Sequence, residues 1–114
     1  MEAVAKAKYL RSSYNRMRQV ADLIRGKSVE DSLNLLFGLK LQKKSARMMD
    51  KILKAAVANY QVKASAGSSK AKNLTVKTVM VDAGPLIKRI RAHAQGRAFR
   101  IEKKMSHVTL VVAD

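Results

Sequence analysis

The sequence predicts an α+β protein, on three observations. The chain opens on an alternating strand pattern, runs through three segments of helical period and returns to strand patterns. That order favours helices packed on one face of an antiparallel sheet. Its length, 114 residues with 47% apolar content, suits one domain with a small core. The third observation is charge: 24 Lys and Arg stand against 8 Asp and Glu, a net +16. Three basic blocks surround a neutral strand and an acidic helix, and the last block has the pattern of an extended arm.

Residues 3–10 (AVAKAKYL) alternate small or apolar with basic. This is the pattern of a half-buried strand, with Lys6 and Lys8 on its solvent or ligand side. Ser12 and Ser13 are N-cap candidates for a first helix, in which Met17, Val20, Ala21 and Ile24 share one face. Arg16, Arg18 and Arg25 lie away from that face. Gly26 stands where a left-handed C-cap residue belongs. Ser28 caps a second helix with Glu30 and Asp31 in its first turn, where the helix dipole favours acids. Its apolar stripe is Val29, Leu33, Leu36 and Phe37, and Gly38 is expected to end it. A third helix is expected from about Lys43 to Val62, with a stripe of Ala46, Met49, Leu53, Ala56, Val57 and Tyr60. Lys43, Lys44, Arg47, Lys51 and Lys54 occupy the rest of its surface, which reads as a solvated face. Residues 65–73 form a loop by composition, and 74–81 (LTVKTVMV) a strand.

After the turn signal Asp82-Ala83-Gly84-Pro85 come LIKRIR (86–91) and RAFRIEKKM (97–105). Neither shows the period-two alternation of a strand lying on a core. Their mixture of Ile, Phe and Arg suits a two-stranded ribbon exposed on both faces, with Gly96 supplying the positive φ of a tight tip. Nine residues of extended chain reach about 30 Å, enough to penetrate another body. The competing interpretation is a basic, disordered loop between two core strands. Seven cations, Lys88, Arg89, Arg91, Arg97, Arg100, Lys103 and Lys104, face the single acid Glu102. A polyanion is the natural surrounding for such an arm, since an Arg fork matches phosphate geometry.

Other chemistry is poorly supplied. There is no cysteine, which excludes disulfides, zinc knuckles and thiol catalysis. His93 and His107 have no metal-ligating neighbours at suitable spacing, so no metal and no cofactor are expected. His107 fits a structural or phosphate-contacting role, and His93 a contact near the tip. No nucleophile motif or phosphate-cradling glycine loop is present, so neither an enzyme nor a small-molecule substrate is expected. No apolar run approaches a membrane span, and the N-terminus has no signal core, so no membrane partner and a cytoplasmic location are expected. Aromatics are 4% of the chain, with Phe37 and Tyr60 assigned to the core, too few for a base-stacking platform. Contact with phosphate, sugar and folded shape remains.

Ordered blocks resemble the bacterial-type uL22 family of large-subunit ribosomal proteins. They are Ser13, Met17-Arg18 and Val20-Ala21-Asp22-Leu23-Ile24-Arg25-Gly26-Lys27, then Ala55-Ala56-Val57-Ala58-Asn59. Val81-Asp82-Ala83-Gly84-Pro85 with Lys88-Arg89 follows, then Gly96-Arg97-Ala98 with Ile101, and Ser106-His107-Val108-Thr109. The resemblance spans essentially the whole chain. It implies three helices packed on a small antiparallel three-stranded sheet, with a long protruding β-hairpin at about 85–105 and a globular part at about 1–84 and 106–114. It also implies contact with several domains of large-subunit rRNA and with neighbouring ribosomal proteins, a part in early subunit assembly, and a tip lining the nascent-peptide tunnel. The arm cations and His107 become RNA contacts, joined by Lys6, Lys8, Arg11, Arg16, Arg18, Arg25 and Lys27. His93, Ala94, Gln95 and Gly96 become the tunnel tip, through which the family affects macrolide sensitivity. Many members carry Pro-Arg-Ala before the tip; here Ala92-His93-Ala94 stands there, which leaves the tip conformation and its charge open.

Two other classes compete. A DNA-architectural protein with basic β-arms would be similarly small and basic, but such proteins often wedge a proline or apolar tip between bases and dimerise. This tip has no proline, and no helix is apolar all round. An RNA-processing enzyme lacks a catalytic cluster.

Overall fold

The computed structural model describes residues 2–39, 43–64, 73–92 and 94–114. The elements in chain order are β1 (Glu2–Leu10), α1 (Tyr14–Ile24), α2 (Val29–Leu39), α3 (Lys44–Ala64), β2 (Thr75–Ala83), β3 (Ile87–Ala92), β4 (Ala98–Lys103) and β5 (Ser106–Ala113). An antiparallel sheet has the order β1-β5-β2, and β3 and β4 form a separate antiparallel ribbon. The α+β architecture is the expected one.

Central β5 alternates strictly, burying Ser106, Val108, Leu110 and Val112. Ala3 and Ala5 of β1 and Val76, Val79 and Val81 of β2 are buried with them. The helices supply the other half of the core through Met17, Val20, Ala21 and Ile24 of α1 and Ala46, Met49, Leu53, Ala56 and Tyr60 of α3. Each fully buried Leu, Ile or Met contributes about 1.5–3 kcal/mol. The expected stripes of α1 and α3 are buried, with Val57 half-buried at the margin and Ile52 of α3 joining the core unexpectedly.

α2 departs from expectation. Gly38 does not end it, since the helix continues to Leu39. Its buried residues are Val29, Ser32 and Leu36, with Leu33 partly covered, while Phe37 is 67% exposed. Each helical residue turns about 100°, so a face centred on Val29 and Leu36 swings Phe37 to its margin. At the start of α1, Ser13 is the cap, accepting from the Arg16 N–H at 3.5 Å. Ser12 is buried and hydrogen-bonds Ser45. The Asp82-Ala83 turn signal is still strand, because β2 continues through Ala83. The predicted loop, apart from Asn73, and the predicted tip residue His93 lie outside the described residues.

The outer edge of β2 is covered by the α1–α2 connection. The Gly26 N–H donates to Val76 O at 3.0 Å, the Val76 N–H to Lys27 O at 2.8 Å and the Val29 N–H to Leu74 O at 2.9 Å. Gly26 takes the left-handed conformation (φ 78°) that this reversal needs. Covering an edge strand blocks unwanted pairing with other chains.

β2 and β5 pass into the arm through a bulge. Ala83 pairs with Ser106, the Gly84 N–H donates to Met105 O at 2.8 Å, and the next strand pair is Ile87 with Lys103. Three residues (84–86) therefore face two (104–105), which adds a local bend and shifts the register of the ribbon. Pro85 sits within this bulge, where its missing N–H costs no ladder bond.

Candidate nucleic-acid interface

The ribbon pairs Lys88 with Glu102, Arg89 with Ile101, Ile90 with Arg100, and Arg91 with Phe99. Side chains alternate across a strand, so both faces mix cations with apolar groups and neither face is buried. Ile90 is 76% exposed and Phe99 53% exposed. Along β3 and β4 only Ile87 and Ile101 are partly covered. β3 and β4 pack on each other and make no substantial contact with the helices or the larger sheet. At the tip, Ala94–Gly96 form a tight turn in which Gln95 (φ 64°) and Gly96 (φ 71°) are both left-handed. Ala94, Gln95, Gly96 and Arg97 are exposed.

The arm sets the molecular dimensions. The extents are 62 × 24 × 19 Å and the radius of gyration is 17.0 Å. A compact chain of this length would have a radius near about 13 Å. Lys88, Arg89, Arg91, Arg97, Arg100, Lys103 and Lys104 are all exposed along this projection.

The remaining predicted residues fall into three groups. Lys6 and Lys8 lie on the sheet face opposite the helices. His107 shares that side of β5, half-buried in a bulge of β1. Tyr9 is left-handed there (φ 60°), and its N–H donates to His107 Nδ1 at 3.0 Å. The two rings meet edge to face at 4.9 Å. Because Nδ1 accepts, the neutral ring carries its proton on Nε2 and can donate it outward.

Arg18 and Arg25 form the second group, at the edge of β2. Arg18 donates through Nε and Nη2 to Val81 O, at 3.3 and 3.2 Å, and lies over the Tyr14 ring at 4.8 Å. Arg25 donates through Nη2 to Val79 O at 2.9 Å and through Nη1 to Asp22. Part of each guanidinium is thus spent on the protein's own sheet edge, which sequence reading did not anticipate. Lys27 is exposed in the adjoining turn.

The third group is a groove of about 460 Å³ that brings Arg11 and Arg16 together with Lys43, Lys44 and Arg47. The last three had read as a solvated helix face. Periodicity alone could not place the starts of α1 and α3 side by side, but basic residues in both first turns were a visible signal.

Among the described residues no cluster of His, Cys, Asp and Glu could hold a metal ion. No helix there is long and apolar enough to cross a membrane.

Known proteins match along the whole chain. The family model described as Ribosomal protein L22p/L17e matches residues 5–113. A protein of Desulfatibacillum aliphaticivorans named large ribosomal subunit protein uL22 is 45% identical over 112 residues, 98% of this chain and 98% of that protein. The protein of the same name from Geobacter metallireducens is 44% identical over 115 residues, covering 100% of this chain and 99% of its own length. That from Heliobacterium modesticaldum is 47% identical over 112 residues, 98% of this chain and 76% of its own length. With an architecture and arm of the kind the resemblance implied, and a match from residue 5 to 113, this chain belongs to the ribosomal protein L22p/L17e family.

Proposed function

We propose that this chain is a structural constituent of the large ribosomal subunit that threads a cationic hairpin into folded large-subunit rRNA. Family membership makes it a ribosomal protein and not an enzyme. The observation that carries the finer reading is the ribbon itself, exposed on both faces and basic along its length. An isolated two-stranded ribbon is marginal in water. Surrounding RNA supplies what the protein lacks: phosphates for the Arg and Lys groups, and apolar cover for Ile90 and Phe99. Several rRNA domains, neighbouring ribosomal proteins and the nascent peptide at the tip are the partners, and early subunit assembly is the stage at which the protein acts. Macrolide sensitivity through the tip belongs to the same reading, as does a cytoplasmic ribosomal location.

The test is sedimentation of a cell lysate through a sucrose gradient after a moderately high-salt wash, probing for this protein. Comigration with the large subunit that survives the wash is the expected result. Migration as free protein, or with nucleoid DNA, would sink the proposal. A photoreactive group in place of Gln95 should crosslink to nascent chains in translating ribosomes; its absence from all such products would refute the tunnel placement alone.

A further inference from the structure

The two outer edges of the larger sheet are treated differently. The edge of β2 is covered by the α1–α2 connection. At the other edge β1 is the outermost strand. α3 closes its first half: Lys63 Nζ donates to the Glu2 carbonyl at 2.9 Å, and Asn59 Nδ2 to the Val4 carbonyl at 3.0 Å. Alternate residues of an antiparallel strand turn their backbone groups to the same side, so the next in that series is Lys6. The far edge agrees. Val79 and Val81 turn their carbonyls outward to Arg25 and Arg18, so their partners Leu110 and Val108 bond the other way, to Ala5 and Ala7. Lys6 lies between those two and offers both its N–H and its C=O to the outer edge. Among the described residues no side chain takes them up. An open stretch of strand edge is a template for another strand.

Beside this stretch lies a groove of about 390 Å³ between β1 and α3. Its walls are largely Ala7 and Leu10 of β1 and Met48, Ile52 and Ala55 of α3, with Lys6 and Lys51 as the charged groups. Apolar walls give RNA phosphates nothing to bind. They suit the alternate side chains of an added strand, which point to one face of the sheet. The intervening side chains of that strand stand on the opposite face, with Lys6 and Lys8, where an opposite charge directly across the sheet is favourable. A second copy of this chain would bring Lys6 and Lys8 against lysines of its own kind, which like charge disfavours.

We propose that the outer edge of β1 at Lys6–Lys8 receives an extended strand of a second protein, which alternates apolar residues seated in the groove with acidic residues beside Lys6 and Lys8. The added strand takes its backbone bonds from Lys6 and its apolar contacts from α3. This gives Lys6 and Lys8 to a protein partner in place of RNA and leaves the role of the arm unchanged.

The test titrates the full chain with a short fluorescent peptide of alternating Val and Glu, and follows exchange of the Lys6 amide proton by NMR. The peptide should bind and slow that exchange. Methylating the peptide nitrogens that face β1 should weaken binding about tenfold, the worth of one or two hydrogen bonds. A peptide of the same composition with its acids grouped together should bind at least as poorly. Ala55 is exposed in the groove, so A55W fills it without entering the core and should lose binding, as should K6P, which removes the outward N–H. A circular dichroism spectrum and melt show that each variant is folded, and the methylated peptide tests the edge on the wild-type chain. Absence of binding would overturn the proposal. So would equal binding of the methylated or grouped peptide, which would reduce the effect to attraction between charges. Slowed Lys6 exchange on adding large-subunit rRNA, with none on adding the peptide, would assign the edge to RNA and overturn it as well.

Discussion

A Cβ on Gly84 would stand 3.1 Å from the carbonyl carbon and oxygen of Met105. Those are backbone atoms of the opposing chain, so they cannot swing aside as a side chain would. Gly84→Ala should therefore open the bulge at the base of the arm and cost about 1–3 kcal/mol. Urea unfolding would measure it, and an unchanged midpoint would mean that the close approach is not structurally required. Sequence marked Gly84-Pro85 as a turn signal but could not say that the glycine serves a close backbone approach at the bulge, because the crowding atoms belong to Met105. Phe37 shows the same limit. Its spacing from Val29 and Leu33 admits it to the stripe, yet the buried face includes Ser32 and leaves Phe37 outside. Which margin of a helix is covered depends on its neighbour, and α2 packs chiefly on α3. Arg18 and Arg25 were legible as cations off the buried face. Their bonds to Val81 O and Val79 O were not, since backbone carbonyls at a sheet edge leave no trace in residue type.

Elements are joined here by a few polar ties, of which the Tyr60–Asp114 contact is the most testable. Tyr60 lies 2% exposed on α3, and its hydroxyl donates to Asp114 Oδ2 at 3.1 Å. Burial first, then the bond to the Asp114 carboxylate, raises the phenol above its usual value near 10.0. The unfolded phenol ionises near that usual value while the folded one keeps its proton. The stabilisation is therefore fully present below the unfolded pKa and is lost as pH rises through the raised folded pKa. Melting temperatures over an alkaline series should fall for wild type and fall less steeply for Tyr60→Phe. Parallel curves would show that the folded phenol titrates like a free one. The elements themselves were largely legible: α1 and α3 announce themselves by long apolar stripes, and β1 by its alternation of small or apolar with basic residues. Bulges were not. Tyr9 and Gly84 sit where one strand gains a residue on its partner, and a register mismatch is a property of two strands that neither sequence carries alone.

Over the whole molecule, the arm was legible because two independent signals agree: strands without alternation, and a charge density no small core can use. The groove at the starts of α1 and α3 was hidden because it forms only when Ser12 and Ser45 meet, 33 residues apart in sequence. The same division of labour predicts what happens when the arm is removed. Among the described residues, the buried ones all lie outside 88–100, and β3 and β4 gain little from the rest of the protein. Replacing residues 88–100 by Asn-Gly, a pair suited to a tight hairpin turn, should leave one cooperative unfolding transition with stability changed by about 1 kcal/mol or less. RNA binding should respond differently. The deletion removes Lys88, Arg89, Arg91, Arg97 and Arg100, so the salt slope should drop by about 3.5–4.5 if each of them meets a phosphate. Loss of cooperative unfolding would show that the arm helps to hold the core together. Unfolding and salt titration of the shortened chain thus separate folding from recognition, because the core and the arm draw on different residues for the two tasks.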